Sequence, residues 1–310
     1  MPGQLTNLVI DPQDSSTLYA GTFGDPEGIS GGVFKSTNGG TNWSRTVMAS
    51  NVLTDTLSVN TLAVHPQNHS TVYAGIGGRD FGYGYMGSSG GVLKSTDGGT
   101  SWSAVNFGLP DRISVSALAI NSQDTSTVYV GTGGGDLGYF GISGGVFKST
   151  DGGESWSPAS SGLPGDSISS LVMDPQNLTT VYAGTRSGVF KSADGGMSWA
   201  NTDLAAAGYV PVDRCFAGPV CAVSSLVINP QEPGAVFAGS RSGIFKSTDR
   251  GASWSRMNYP GLPPAGSDLL ALDPQNPDNL YSVAGGSVFA ITFASPALTL
   301  DSTQYCIGAS

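Results

Sequence analysis

The chain has 310 residues, among them 46 glycines, only 12% charged side chains and a formal net charge of -10. That length can bury a substantial core, while the acidic balance excludes nucleic acid and anionic membrane surfaces as natural partners, because the mean field repels both. No apolar run is long enough to cross a bilayer as a helix, no window holds a helical period and turn residues abound, so a nearly all-β chain is expected.

Met1-Pro2-Gly3 leads straight into a repeat with no signal-peptide pattern, which reads as a boundary from which a leader has been removed. Six units follow, of about 50 residues each. Each opens with an apolar strand A: Leu8-Val9-Ile10, Leu62-Ala63-Val64, Leu118-Ala119-Ile120, Leu171-Val172-Met173, Leu226-Val227-Ile228 and Leu270-Ala271-Leu272. Continuous hydrophobicity suits an innermost strand covered on both faces. A turn such as Asp11-Pro12-Gln13 or His65-Pro66-Gln67 leads to strand B, for example Val72-Tyr73-Ala74-Gly75, and strand C, for example Gly145-Val146-Phe147, comes third.

Strand C then runs into a nine-residue stretch, KSTDGGESW from Lys148 to Trp156, with variants at Lys35 to Trp43, Lys94 to Trp102, Lys191 to Trp199 and Lys246 to Trp254. Asp151 is suited to accept hydrogen bonds from backbone N–H groups just ahead of it, and Gly152 and Gly153 supply positive φ without steric cost. Trp156 is expected to open strand D and to pack against the next unit. All five lysines, Lys35, Lys94, Lys148, Lys191 and Lys246, occupy one repeat position and read as strand residues with solvated tips, not as catalysts.

The pattern Ser-x-Asp-x-Gly-x-x-Trp, built on Asn38, Asp97, Asp151, Asp194 and Asp249 with Trp43, Trp102, Trp156, Trp199 and Trp254, resembles the Asp-box or BNR repeat of β-propellers. That superfamily includes sialidases, xyloglucan-active glycoside hydrolases, sortilin-type receptors and photosystem assembly factors. The resemblance implies that the boxes are structural and lie away from the active face. Four antiparallel strands per unit, six times over, give a six-bladed, all-β propeller over residues 1–295. The sixth unit has a third strand, Ser287-Val288-Phe289-Ala290-Ile291, and no box. Its outer strand is expected from residues 296–300 or from the amino terminus. Alternatively, residues 296–310 begin a further, truncated β module.

With strands ordered A to D, the A–B turns and the boxed C–D turns share one end of every blade, and the B–C and D–A loops share the other. The first end is uniform. At the second, the B–C loops are long in units one to three and carry Asp25, Glu27, Arg79, Asp80, Phe81, Tyr83, Tyr85, Asp136, Tyr139 and Phe140. In units four and five they shrink to Thr185-Arg186-Ser187-Gly188 and Ser240-Arg241-Ser242-Gly243. Such asymmetry builds a groove, and variable loops on a rigid scaffold are where function concentrates.

Histidine chemistry is excluded: His65 and His69, the two histidines of the chain, fall together in one turn of the uniform end. Asp25, Glu27, Asp80 and Asp136 are the acid/base candidates, a pair of carboxylates being what glycoside hydrolysis needs. The same side chains are candidates for a structural calcium or for plain turn chemistry; no other metal or cofactor is expected. Phe81, Tyr83, Tyr85, Tyr139 and Phe140 offer flat rings for sugars, or pack the long loops together. Arg79, Arg186 and Arg241 share the variable end and suit an anion. Sialidases in the superfamily use three axial arginines, a tyrosine assisted by glutamate and an early Arg-Ile-Pro-like motif; this chain has no such motif. Cys215 and Cys221 in CFAGPVC are placed for a local disulfide, which fits an oxidising compartment.

Two readings result. One is a secreted, extracellular or periplasmic propeller, probed by a glycan or another polar small ligand, that binds it and, with the loop carboxylates, hydrolyses it. The alternative is a non-catalytic protein-interaction or display module of a larger secreted bacterial protein. In both, the chain is expected to be monomeric, part of a longer polypeptide and not inserted in a membrane.

Overall fold

The computed structural model describes residues 4–23, 31–46, 57–78, 90–111, 113–133, 144–209, 223–258, 267, 269–273, 276–284 and 287–292. They form six antiparallel sheets in chain order, a six-bladed all-β propeller whose regular blade has four strands. The first sheet holds β1 (Leu5–Ile10), β2 (Leu18–Thr22), β3 (Gly32–Ser36) and β4 (Ser44–Arg45). The second holds β5 (Leu57–Val64), β6 (Val72–Gly78), β7 (Gly91–Ser95) and β8 (Ser103–Ala104), and the third β9 (Ser114–Ile120), β10 (Val128–Gly133), β11 (Gly145–Ser149) and β12 (Ser157–Pro158). The fourth holds β13 (Ile168–Met173), β14 (Val181–Thr185), β15 (Gly188–Ser192) and β16 (Ala200–Asn201); the fifth, β17 (Val223–Ile228), β18 (Val236–Ser240), β19 (Gly243–Ser247) and β20 (Ser255–Met257). The sixth has β21 (Leu269–Leu272), β22 (Asn279–Ala284) and β23 (Ser287–Thr292) among the described residues. Within it no fourth strand is described, and β1 pairs with β2 in the first sheet, so the described amino-terminal residues do not supply one. One 3-10 turn, Leu204–Ala207, is the helical content of these residues.

The chain divides into two compact units, Met1–Ser160 with the first three sheets and Ser161–Ser310 with the last three. In each, apolar clusters lie between successive sheets. Tyr19 and Val33 meet Leu62, Ala74, Leu93 and Trp102 in the first unit, and Tyr182 and Val189 meet Leu226, Ala238 and Phe245 in the second.

The burial differs from expectation in one respect. The doubly covered strand is B: β10, β14 and β18 are buried almost end to end, while the A strands β9, β13 and β17 are only partly so. An A strand is an edge of its sheet, whereas B lies between A and C. β1 leaves Leu5, Leu8 and Ile10 exposed.

Sheets meet closely because of a bulge and a glycine. Pairing slips between Leu5/Asn7, Val59/Thr61, Ile168/Ser170 and Val223/Ser225. The skipped residue turns sideways: Thr6 Oγ1 donates to the Val59 carbonyl, Asn60 Nδ2 to Val115 O at 3.1 Å and Ser169 Oγ to Val223 O at 2.6 Å, in each case on the next sheet. On the neighbouring B strand stands a glycine. A Cβ on Gly75 would lie 2.5 Å from Thr61 Cγ2 and 2.6 Å from Val115 Cγ1, so no larger residue fits without displacing a strand.

Candidate functional site

The two ends of the blades are built by different rules. At the boxed end, Ser149 Oγ donates to Asp151 Oδ1 (2.7 Å) while accepting from Gly153 N (2.8 Å), and Ser155 N donates to the same carboxylate oxygen (2.9 Å). The same bonds recur at Asp97, Asp194 and Asp249. Hydrogen bonds from Ser101, Ser155, Ser198 and Ser253, with further bonds from the backbone and from Ser95, Ser149, Ser192 and Ser247, pull these four carboxyls down to about 2. In the first copy Asn38 takes the place of Asp and accepts from Asn42 N at 2.8 Å. Each box is also tied to its own A–B turn, as Gly152 N to Ser126 O (2.8 Å) and Gly195 N to Thr179 O (2.8 Å). Boxes and A–B turns therefore share one end, as expected.

Two expectations about this turn need correction. The tryptophans lie just before strand D, not in it, and three of them pack on the preceding sheet: Trp102 Nε1 reaches Thr46 Oγ1 (3.1 Å), Trp156 Nε1 the Val105 carbonyl (2.7 Å) and Trp254 Nε1 Thr202 Oγ1 (3.0 Å). The lysine tips are not simply solvated. Lys35 Nζ lies 5.3 Å from the centre of the Tyr19 ring, and Lys148, Lys191 and Lys246 sit likewise over Tyr129, Tyr182 and Phe237. Lys35 Nζ (2.8 Å) and Tyr19 Oη (3.1 Å) both donate to the Gly98 carbonyl, in the box of the next sheet. Lys191 and Tyr182 do the same to Arg250 O, each at 2.9 Å. Lys94 instead reaches Glu154 at 2.9 Å. Lys35, Lys94 and Lys191 are inter-blade fasteners. Burial, followed by the Asp11 charge, pushes the Tyr19 phenol up to about 12, so it keeps the proton it donates.

Arg250 is the one box residue with a side chain at the first positive-φ position, with φ 57, where the others have glycine. Its Nε stands 3.2 Å from Oδ2 of Asp174, a wholly buried carboxylate in the preceding sheet. That partner repays the left-handed backbone.

At the opposite end the neck of each loop is fixed and its length is free. Thr22 Oγ1 accepts from Gly32 N (3.1 Å), Thr132 Oγ1 from Gly145 N (3.0 Å), and Thr185 Oγ1 donates to Gly188 O (3.0 Å). Ser240 Oγ donates to Gly243 O at 3.2 Å. A hydroxyl at the end of strand B thus pins the start of strand C, whether two, nine or twelve residues stand between. The second sheet departs from this: β5 and β6 run on past Ile76, pairing Ser58 with Gly77 and Leu57 with Gly78. Ser58 Oγ is buried there without a hydrogen-bond partner.

Of the residues expected to do chemistry or bind, the structure describes Arg186 and Arg241. They hold one register position, following Thr185 and Ser240 at the ends of strand B in successive sheets, β14 and β18; Arg186 is half-buried and Arg241 exposed. Around Arg186 the Tyr209 hydroxyl donates to its carbonyl (2.6 Å), and Ser187 N donates to Asp166 Oδ2 (3.1 Å). Burial, with the Asp166 charge adding and Arg186 opposing, pushes the Tyr209 phenol up to about 12. Asp166 and Tyr209 brace this short loop, and neither stood out in the sequence because their partner is a backbone that only the fold brings near. Asp25, Glu27, Arg79, Asp80, Phe81, Tyr83, Tyr85, Asp136, Tyr139, Phe140, Cys215 and Cys221 lie outside the described residues. Among the described residues no group of three or more His, Cys, Asp or Glu is placed to hold a metal ion, and no helix is long and apolar enough to cross a membrane.

A family model described as BNR/Asp-box repeat matches residues 147–158, the third copy of the turn whose bonds are given above. These turns are Asp-box repeats. The chain is 26% identical over 167 residues, 51% of its length, to a xyloglucanase of Hypocrea jecorina (strain QM6a), and spans 18% of that relative. Among solved structures it is similar to an ancestral GH74 enzyme, with TM-score 0.65, 22% identity, and coverage of 96% of this chain and 37% of the other. It is similar also to YCF48 bound to D1 peptide, with TM-score 0.60, 15% identity, and coverage of 97% and 81%. At these identities the structural likenesses establish the β-propeller fold.

Proposed function

We propose that this Asp-box chain is a carbohydrate-binding propeller module of an extracellular protein, and that it reads its ligand at the end of the blades opposite the boxes. The observation that carries this is the neck: one hydroxyl-to-glycine clasp holds Thr22–Gly32, Thr132–Gly145, Thr185–Gly188 and Ser240–Gly243, so loops of very different length are grafted on an unchanged frame. The sequence likeness to a xyloglucanase favours a glycan as the ligand class. On this reading the loop aromatics Phe81, Tyr83, Tyr85, Tyr139 and Phe140 stack on sugar rings, and Arg79, Arg186 and Arg241 donate to hydroxyl or anionic substituents. Asp80 and Asp136, with Asp25 and Glu27, are the carboxylates of any hydrolytic step.

A glycan array combined with a reducing-sugar assay on the purified chain tests this. Binding of at least one β-glucan, lost on replacing the loop aromatics by alanine, is the expected result. Release of reducing ends that disappears in Asp80→Ala or Asp136→Ala would extend the reading to catalysis. Silence on every glycan, with a protein captured specifically through Arg186 and Arg241, would favour the second reading, an interaction module, for which the fold shared with a peptide-bound protein is the supporting observation.

A further inference from the structure

Five of the six A–B turns open with a side-chain oxygen that accepts a backbone N–H two residues on, three residues on, or both. Asp174 Oδ1 takes Gln176 N (2.9 Å) and Asn177 N (3.1 Å), and Asn229 Oδ1 takes Gln231 N (2.9 Å) and Glu232 N (3.2 Å). Asn121 Oδ1 likewise takes Gln123 N and Asp124 N, while Asp11 Oδ1 takes Gln13 N and Asp273 Oδ1 takes Asn276 N. In the second sheet the acceptor is a ring nitrogen. His65 Nδ1 takes Gln67 N at 3.2 Å and Asn68 N at 2.9 Å. A neutral imidazole has one acceptor nitrogen and a protonated one has none. These two bonds therefore exist only while His65 is uncharged.

The same turn fastens its sheet to both neighbours. Its Pro66 carbonyl accepts from Gln13 Nε2 of the first sheet (3.2 Å), and Gln67 Nε2 donates to Ser122 O of the third (3.0 Å). It also anchors its own box, through Gly98 N to Ser70 O at 2.7 Å. We infer that the His65 turn is an acid-released fastening, holding the second blade to the first and third at neutral pH and letting go when the imidazole takes up a proton. Protonation would aim a third donor at the two N–H groups of Gln67 and Asn68, and the turn reopens to separate them.

The net effect of the surroundings is in the same direction. Burial disfavours the charged ring and Lys94 adds a repelling charge, which together outweigh a hydrogen bond with the His65 backbone, so the His65 pKa is held below its ordinary value of 6.5. The other charged groups about the turn are Asp11, whose buried carboxylate is 3.8 Å from the exposed ring of His69, Asp14, which His69 also influences, and Glu154, which holds Lys94. A depressed histidine makes the fold's preference fully present above about 6.5 and lost as pH falls below it. The blade so loosened is the one whose B–C segment, Ile76 to Gly90, is the longest in the sequence.

Two-dimensional NMR of the two histidine rings in the intact chain, with amide exchange at Gln67 and Asn68 followed from about pH 7.5 to about pH 5, tests the inference. His65 should titrate below about 6.5, and exchange at both amides, corrected for its intrinsic pH dependence, should rise at least about tenfold through that transition. The variant His65→Asn, carrying the residue that fills this slot in the third and fifth sheets, should lose the acid step; His69→Gln should keep it. Titration of His65 at or above its ordinary value, exchange unmoved by acid, or an acid step that survives in His65→Asn or vanishes in His69→Gln would each overturn the assignment.

Discussion

The boxed end of the blades and the open end use glycine and hydroxyl groups to opposite effect. At the boxed end Gly99, Gly153 and Gly251 carry positive φ and also let a tyrosine ring of the preceding sheet come close; a Cβ there would lie 3.0 to 3.3 Å from the ring carbons of Tyr19, Tyr73 and Tyr182. Turn, ring, lysine and tryptophan form one inter-blade joint, so loop length cannot vary. At the open end the hydrogen bond of the clasp between Thr or Ser and Gly lies within its own sheet. Insertions there cost the scaffold little. Both ends join neighbouring sheets, the open one through the bulges of strand A; what differs is that the box joint fixes loop length while the clasp leaves it free.

The sharpest way to break that contrast is to remove a joint. Trp156 is 4% exposed and spans two sheets, so Trp156→Ala should cost about 3–5 kcal/mol, read as a fall in the urea midpoint. Gly75→Ala should cost about 1–3 kcal/mol by overpacking, because both atoms it meets belong to strands. Gly39→Ala is its control: φ is 65 but nothing lies within 4 Å, so only backbone strain, about 1 kcal/mol, is expected. Equal losses at both glycines would show that close approach is not what Gly75 provides.

Acid probes the boxes as a set. Asp97, Asp151, Asp194 and Asp249 are held at about 2 in the fold against an ordinary 3.8, so the unfolded chain takes up protons first. Their contribution is complete above about 3.8 and should drain away as pH falls toward 2. Asp151→Asn, which copies the first box at Asn38, should flatten part of that slope in the thermal midpoint. A smaller effect is expected from Lys191→Met. Losing the ring contact with Tyr182 and the bond to Arg250 O should cost about 0.5–1 kcal/mol.

Much of the frame was legible in the sequence because it depends on local pattern. Strands around Leu226-Val227-Ile228 or Val181-Tyr182-Ala183, the turn at Asp151 and the third strand from Ser287 all stand where the apolar runs and turn residues put them. What was not legible depends on which sheet lies on which side. Trp156 looks equally able to pack forward or backward, and only register settles that it meets Val105 behind it. Lys35 looks like any solvated lysine until Tyr19 is seen to be its cross-strand partner; the same pairing in Tyr73 with Lys94 and Tyr182 with Lys191 was the available signal. The loop carboxylates were visible as candidates, but their mutual geometry depends on chain between the clasps, which no periodicity governs.

The smallest expected effect on stability is also the most informative about function. In the fourth sheet the clasp from Thr185 to Gly188 is bridged by Arg186-Ser187, and in the first the equivalent clasp from Thr22 to Gly32 encloses residues 23–31. Replacing those nine residues by Arg-Ser should leave the urea midpoint almost unchanged, since shortening a loop alters closure entropy by only about 1 kcal/mol or less. If the open end reads a glycan, the same variant should lose affinity for it while keeping the unfolding transition of the parent. A large loss of stability would mean that the first loop braces its neighbours, and the division between an end of fixed loop length and an end of free loop length would fail at this blade.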